Sequence, residues 1–232
     1  FVRHRFSDTF SVQAGAQLQK GQTSDVLGKI DYFLVGLPAS LSYDSTDRPL
    51  DPTRGAKITA SVTPFPSFLG STVGMTVGKL EASTYYALDE DARYVLAGRI
   101  GLGSILGADL DEIPANFRFF AGGGGSVRGY RYRSLGPQGP FGYVVGGRSL
   151  LEASFEARIK ITDTIGIVPF FDAGNAFDSG YPDFKDKLRM SAGLGLRYYT
   201  AIGPIRLDIA TPLNGRPGDK PVSFYVSIGQ AF

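Results

Sequence analysis

Cysteine and tryptophan are absent from this 232-residue chain, and histidine occurs once, as His4. Without cysteine there is no disulfide framework, no thiolate metal site and no cysteine nucleophile. One histidine excludes the usual catalytic triads and histidine-based metal clusters. We therefore expect no enzyme, no catalytic residue, no metal and no cofactor. Charge of one sign is also missing: 24 Lys and Arg stand against 22 Asp and Glu, which gives no electrostatic footprint for nucleic acid. No apolar run approaches the length of a transmembrane helix. The opening residues, Phe1 to Asp8, lack the apolar region of a signal peptide, and the chain reads as if it begins partway through something larger.

Glycine and aromatics are abundant, with 31 Gly, 17 Phe and 12 Tyr. The dominant periodicity is two. Leu188, Met190, Ala192, Leu194, Leu196 and Tyr198 alternate with Arg189, Ser191, Gly193, Gly195, Arg197 and Tyr199. That is a strand with one apolar face and one polar or small face. The same rhythm runs through 10–19, 37–44, 56–63, 73–77, 94–102, 151–161, 205–209 and 224–232. Turn signals such as Asp51-Pro52, Gly203-Pro204 and Pro217-Gly218-Asp219 separate these runs. No segment holds a 3.6-residue period. The expectation is an all-β chain of about ten antiparallel strands.

A soluble β-sandwich alternates too. Two features favour a transmembrane barrel. The polar faces carry Arg, Lys, Glu and Gln over nine to eleven residues, about the length that crosses a bilayer when tilted. Aromatics also gather near strand ends, as in Tyr32-Phe33, Phe65, Phe68, Tyr85-Tyr86, Phe119-Phe120, Phe170-Phe171 and Tyr198-Tyr199, where interfacial girdles sit.

Gly122-Gly123-Gly124-Gly125-Ser126-Val127-Arg128-Gly129-Tyr130 breaks the strand pattern. Glycines allow an irregular, tightly fitted loop. A single arginine within it is a fixed fork of donors suited to carboxylates. Glu156 shares a strand face with Glu152, Ser154, Arg158 and Lys160, opposite Phe155 and Ile159. Asp172 lies opposite Phe171 and Ala173. Arg189, Arg197 and Arg206 read as further inward charges, mixed with Asp208.

The Arg128-Gly129-Tyr130 stretch resembles the hallmark of the outer-membrane insertase and translocase superfamily of BamA, TamA and the two-partner secretion transporters. Arg118-Phe119-Phe120-Ala121-Gly122-Gly123 before it resembles the TamA branch in particular. Phe171-Asp172-Ala173-Gly174 is similar to the family's aromatic-x-Asp-x-Gly strand. Gly193 to Arg197, Ile202 to Asp208 and the closing aromatic Phe232 resemble its last strands. The motifs cover about residues 112–232 in order.

The resemblance implies the C-terminal part of a barrel of about sixteen strands, with the first strands and the periplasmic repeats lying outside the chain. It implies that the loop at about 112–143 folds into the lumen, where Arg128 meets Glu156 and Asp172. It also implies a lateral seam at the last strand, read here as Val222 to Phe232. Phe224, Val226, Ile228 and Phe232 would form its apolar face, and Gly229 would weaken its pairing. The implied setting is the outer membrane of a Gram-negative bacterium. The implied partners are outer-membrane lipid, nascent outer-membrane proteins or autotransporters, and a periplasmic or inner-membrane helper protein. The implied function is insertion or translocation of other outer-membrane proteins. A two-partner secretion transporter and a passive or structural barrel are the alternatives.

Overall fold

The computed structural model describes residues 1–232. Its main sheet has eleven strands, every neighbour antiparallel: β1 (Val2–Arg5), β2 (Phe10–Ala14), β5 (Ala39–Asp44), β6 (Gly55–Phe65), β7 (Met75–Ala87), β8 (Tyr94–Leu106), β9 (Ser149–Lys160), β10 (Ile165–Phe177), β11 (Arg189–Thr200), β12 (Gly203–Pro212) and β13 (Ser223–Ile228). A separate hairpin, β3 (Gln17–Asp25) with β4 (Gly28–Gly36), interrupts the connection from β2 to β5. The sheet does not close. β1 pairs only with β2, and β13 only with β12.

The burial pattern is that of a membrane barrel. Phe224, Val226 and Ile228 on β13 are 67%, 74% and 61% exposed, and Phe155, Phe171, Leu194, Leu196, Ile205 and Ile209 are also exposed. On the opposite faces of the same strands Glu156, Asp172, Arg197 and Asp208 are 0% exposed. A sandwich in water would reverse this arrangement. Charges inside and apolar side chains outside are stable only when the outer solvent is lipid.

The connections sort by end. The turns at 6–9, 88–93, 161–164 and 201–202 are short and lie at one end of the strands. The other end carries the β3–β4 hairpin and the loops at 66–74, 107–148, 178–188 and 213–222. Outer-membrane barrels place their short turns on the periplasmic side. The connection 45–54 is the longest on that side, and it packs across the lumen mouth.

Two sequence expectations about strand extent change here. The run 10–19 is not one strand: it breaks at Gly15, whose N–H bonds the Pro38 carbonyl at 3.0 Å, and the chain re-enters as β3. The last strand ends at Ile228 rather than Phe232, because Gly229 takes φ +89° and turns the chain inward. The aromatic pairs also divide. Alternation sends Tyr86, Phe171 and Tyr198 outward, while Phe65, Tyr85 and Phe170 are buried inside; off the strands, Phe68 is exposed and Phe119 is buried.

Candidate functional site

The connection 107–148 between β8 and β9 folds back onto the inner face of the sheet. Ser126 begins the anchoring. Its hydroxyl donates to Glu152 and accepts from Gly122 N–H at 2.8 Å. Arg99 reaches Glu152 at 3.4 Å and the Gly125 carbonyl at 2.9 Å. Gly122 and Gly129 adopt φ +101° and +93°, values that a side chain would strain. Gly129 is also confined: a Cβ there would meet Ser191, Pro212 and Thr211 at 3.2–3.3 Å. Gly123 shares the positive φ, whereas Gly124 and Gly125 do not.

Arg128 is 1% exposed. Its Nε and Nη2 donate to the two oxygens of Asp172 on β10, at 2.8 and 2.9 Å. Its backbone N–H joins the same carboxylate at 3.1 Å. Nη1 donates to Glu156 Oε1 on β9 at 2.8 Å and to Asp208 Oδ2 on β12 at 2.9 Å. The guanidinium lies over the Phe170 ring, 3.5 Å from its centroid. Burial works against the charge on Arg128, but the Asp172 hydrogen bonds and the three carboxylates outweigh it and raise the pKa.

Asp208 was not among the partners expected for Arg128. Its strand lies two places from β10, across β11. The reach is possible because β11 presents Gly193 and Gly195 inward. A Cβ at Gly193 would strike the Phe170 ring and the Ile209 carbonyl, and one at Gly195 would strike Arg197 and Asp208. The Gly193-x-Gly195 spacing was the available signal: two inward positions without side chains open a path between flanking strands.

Around this centre the charges interlock. Arg197 Nη1 meets Asp208 Oδ1 at 2.6 Å, and Arg206 Nε lies 3.5 Å from Asp208 Oδ2. Arg158 Nε meets Glu156 Oε2 at 3.0 Å. Four buried guanidiniums, on Arg128, Arg158, Arg197 and Arg206, thus share the carboxylates of Glu156, Asp172 and Asp208. Tyr130, 1% exposed, directs its hydroxyl to the Met190 carbonyl and Asn214 Oδ1 at 3.1 and 3.0 Å.

The residues expected at the seam separate into two groups. Phe224, Val226 and Ile228 lie on the outward face of the edge strand β13. Gly229 and Phe232 do not. The segment after Ile228 enters the lumen, where Gln230 N–H and Nε2 donate to the Leu50 carbonyl and Asp51 Oδ1 at 3.1 and 2.8 Å. The Phe232 ring lies 6.3 Å from Tyr85, and its carbonyl accepts from Arg158 Nη2 at 3.1 Å. The physical cause is polar pairing, since the 45–54 turn and Arg158 offer partners that lipid cannot.

That turn is folded around Asp47. Its carboxylate accepts from Thr53 N–H, the Thr53 hydroxyl and Arg54 N–H at 2.8, 2.7 and 3.1 Å. Partial burial pushes its pKa up, but these bonds outweigh that and hold it below the ordinary carboxylate range. A depressed folded pKa gives stability that is present at neutral pH and lost as pH falls through it. Below about pH 4 the protection of the Thr53 and Arg54 amides against exchange should fall, and Asp47→Asn should abolish that acid dependence. Equal acid dependence in both proteins would count against it.

The family model of the Omp85 superfamily domain matches residues 2–232. The outer membrane protein assembly factor BamA of Nitratidesulfovibrio vulgaris is 31% identical over 199 residues, which cover 82% of this chain and 24% of that protein. BamA of Neisseria meningitidis serogroup B is 26% identical over 247 aligned residues, covering 91% of this chain and 30% of that protein. The crystal structure of BamA from Haemophilus ducreyi lacking POTRA domains 1–3 superposes with a TM-score of 0.79 at 21% identity, over 96% of this chain and 52% of that one. The chain therefore spans about a quarter to a third of these two sequence relatives, and about half of the solved chain. An inward-folded arginine loop in a sheet with an apolar exterior, and a domain match running nearly end to end, lead to one assignment: the chain belongs to the Omp85 superfamily.

Proposed function

We propose that this barrel segment belongs to an outer-membrane assembly factor, and that a weak lateral seam at β13 is where an incoming strand is received. The protein is integral to the Gram-negative outer membrane. The observation that carries the reading is the edge itself. β13, the last strand of the sheet, is only six residues long and ends at Gly229 where the chain leaves the sheet. Adjacent strands run ten to thirteen residues, from β12 at 10 to β10 at 13. So short a strand shares few hydrogen bonds with the strand that borders it in the complete barrel, and where that seam parts, its backbone donors and acceptors are open to completion by another strand. In lipid those groups have no water to turn to, so pairing with a substrate strand is favoured without nucleotide or covalent chemistry. The substrates would be other outer-membrane proteins, barrels or autotransporters. A periplasmic or inner-membrane helper would dock on parts of the complete protein beyond these residues.

The position of the arginine loop supports this reading over a passive channel. A diffusion pore needs an open lumen, whereas here Arg128, Val127 and Tyr130 are buried against the inner wall.

The test is a lock. A cysteine on the seam side of β13 is paired with one on whichever strand borders it in the complete protein. Oxidation should stop substrate insertion and reduction should restore it. Undiminished insertion by the oxidised protein would sink the proposal.

A further inference from the structure

The edge strand β13 is held by more than its ladder with β12. Its inward residues reach the arginine loop directly. The Tyr225 hydroxyl accepts from Gly129 N–H at 2.9 Å and donates to the Tyr130 carbonyl at 3.2 Å. The Ser223 hydroxyl donates to the Gly129 carbonyl at 3.1 Å. The Tyr225 ring packs against Gly124, where a Cβ would lie only 2.8 Å from Cδ1. These contacts centre on the residues that follow Arg128. Arg128 in turn is bound to β9, β10 and β12 through Glu156, Asp172 and Asp208. The loop therefore forms a second route from the edge strand to the body of the sheet, one that does not pass through the β12–β13 ladder.

We infer that Tyr225 is a positioning residue that fastens the sheet's edge to the arginine loop, so that the seating of Arg128 on its carboxylates sets how readily β13 parts from β12. Physically, a short strand held by few ladder bonds frays before its longer neighbours. Ladder pairing holds β13 by Ser223 to Ile228 against Ala210 to Ile205. Two of those six rungs, Ser223 and Tyr225, carry the contacts to the loop. A phenylalanine at 225 would keep the ring on Gly124 but leave the Gly129 N–H without its acceptor. The consequence for insertion rests on the proposed role of the β13 edge; the tie itself does not.

The experiment uses the complete protein in lipid bilayers. Tyr225→Phe is compared with the parent by amide hydrogen exchange and by the rate at which an unfolded barrel substrate is inserted. The amides of β13 that bond β12 should exchange about 2- to 10-fold faster in the variant, with β10 unchanged. Arg128→Lys should raise β13 exchange beyond its effect on β10 when Tyr225 is present, and add little beyond that effect when it is phenylalanine. Unchanged β13 exchange in Tyr225→Phe overturns the tie, whatever insertion does. So does an Arg128→Lys effect of the same size with and without the hydroxyl, which would mean that Tyr225 only fills space. Faster exchange with an altered insertion rate supports both the tie and its role. Faster exchange with unaltered insertion leaves the tie standing and counts against the edge as the entry point.

Discussion

Replacing Arg128 with alanine should destabilise the complete barrel by about 3–5 kcal/mol, the cost of stranding buried charge. The reason is the number of groups that depend on one guanidinium. Asp172, Glu156 and Asp208 are all 0% exposed, and each donates no hydrogen of its own to replace the lost fork. Arg158, Arg197 and Arg206 would still neutralise part of the charge, which keeps the cost from rising further. Lysine should recover little. An ammonium cannot span both oxygens of Asp172 while reaching Glu156 and lying flat on Phe170. Thermal unfolding in lipid, read by heat-modifiable mobility, measures the loss. Combining Arg128→Ala with Glu156→Gln or Asp172→Asn should cost less than the sum of the single changes, because the second change removes a charge that the first had stranded. If alanine at 128 leaves the unfolding transition unmoved, the loop is not held by this cluster.

How much of this could be read from the residues alone depends on which property is asked. Facing is local. Parity along 151–161 and 165–173 puts Glu156 and Asp172 inward whatever the neighbouring strands do, and both meet Arg128. Depth and reach are not local. Asp208 has the same parity as Arg206, yet its contact with Arg128 depends on the inward side-chain gap at Gly193 and Gly195 on the strand between. Bends are invisible to parity as well. Alternation runs from Phe10 to Leu18 without a fault, although the strand breaks at Gly15, because a kink need not change which face a residue takes. Phe232 also keeps the apolar parity of Phe224, Val226 and Ile228, with only Gln230 interrupting it, although the sheet ends at Ile228. A glycine in a strand pattern reads the same whether it continues the ladder or leaves it at positive φ. What draws the chain inward at 229 is the polar 45–54 turn, through Gln230 and Asp51, which lie 179 residues apart.

Asp208→Asn should have the second large effect, again about 3–5 kcal/mol, and for the opposite sign of charge. Asp208 is the carboxylate between Arg128 at 2.9 Å and Arg197 at 2.6 Å, with Arg206 at 3.5 Å. Asparagine fits the same space. It retains one acceptor oxygen but turns an NH2 group towards a guanidinium, so two donors face each other in a site closed to water. The centre, already holding four guanidiniums against three carboxylates, would then hold four against two. Relief should come from removing a cation. Arg197→Gln alone should also destabilise, since it frees Asp208 Oδ1 and Gln230 Oε1 from their donor. Together with Asp208→Asn it should restore about 0.5–3 kcal/mol relative to the sum of the single changes, the range seen for directly contacting residues. Additivity within about 0.5 kcal/mol would show that Asp208 and Arg197 act independently. The cost of Asp208→Asn would then lie with Arg128 and Arg206. A measured coupling would make Arg197 on β11 and Asp208 on β12 one unit, which the loop joins through the bond from Arg128 Nη1 to Asp208 Oδ2.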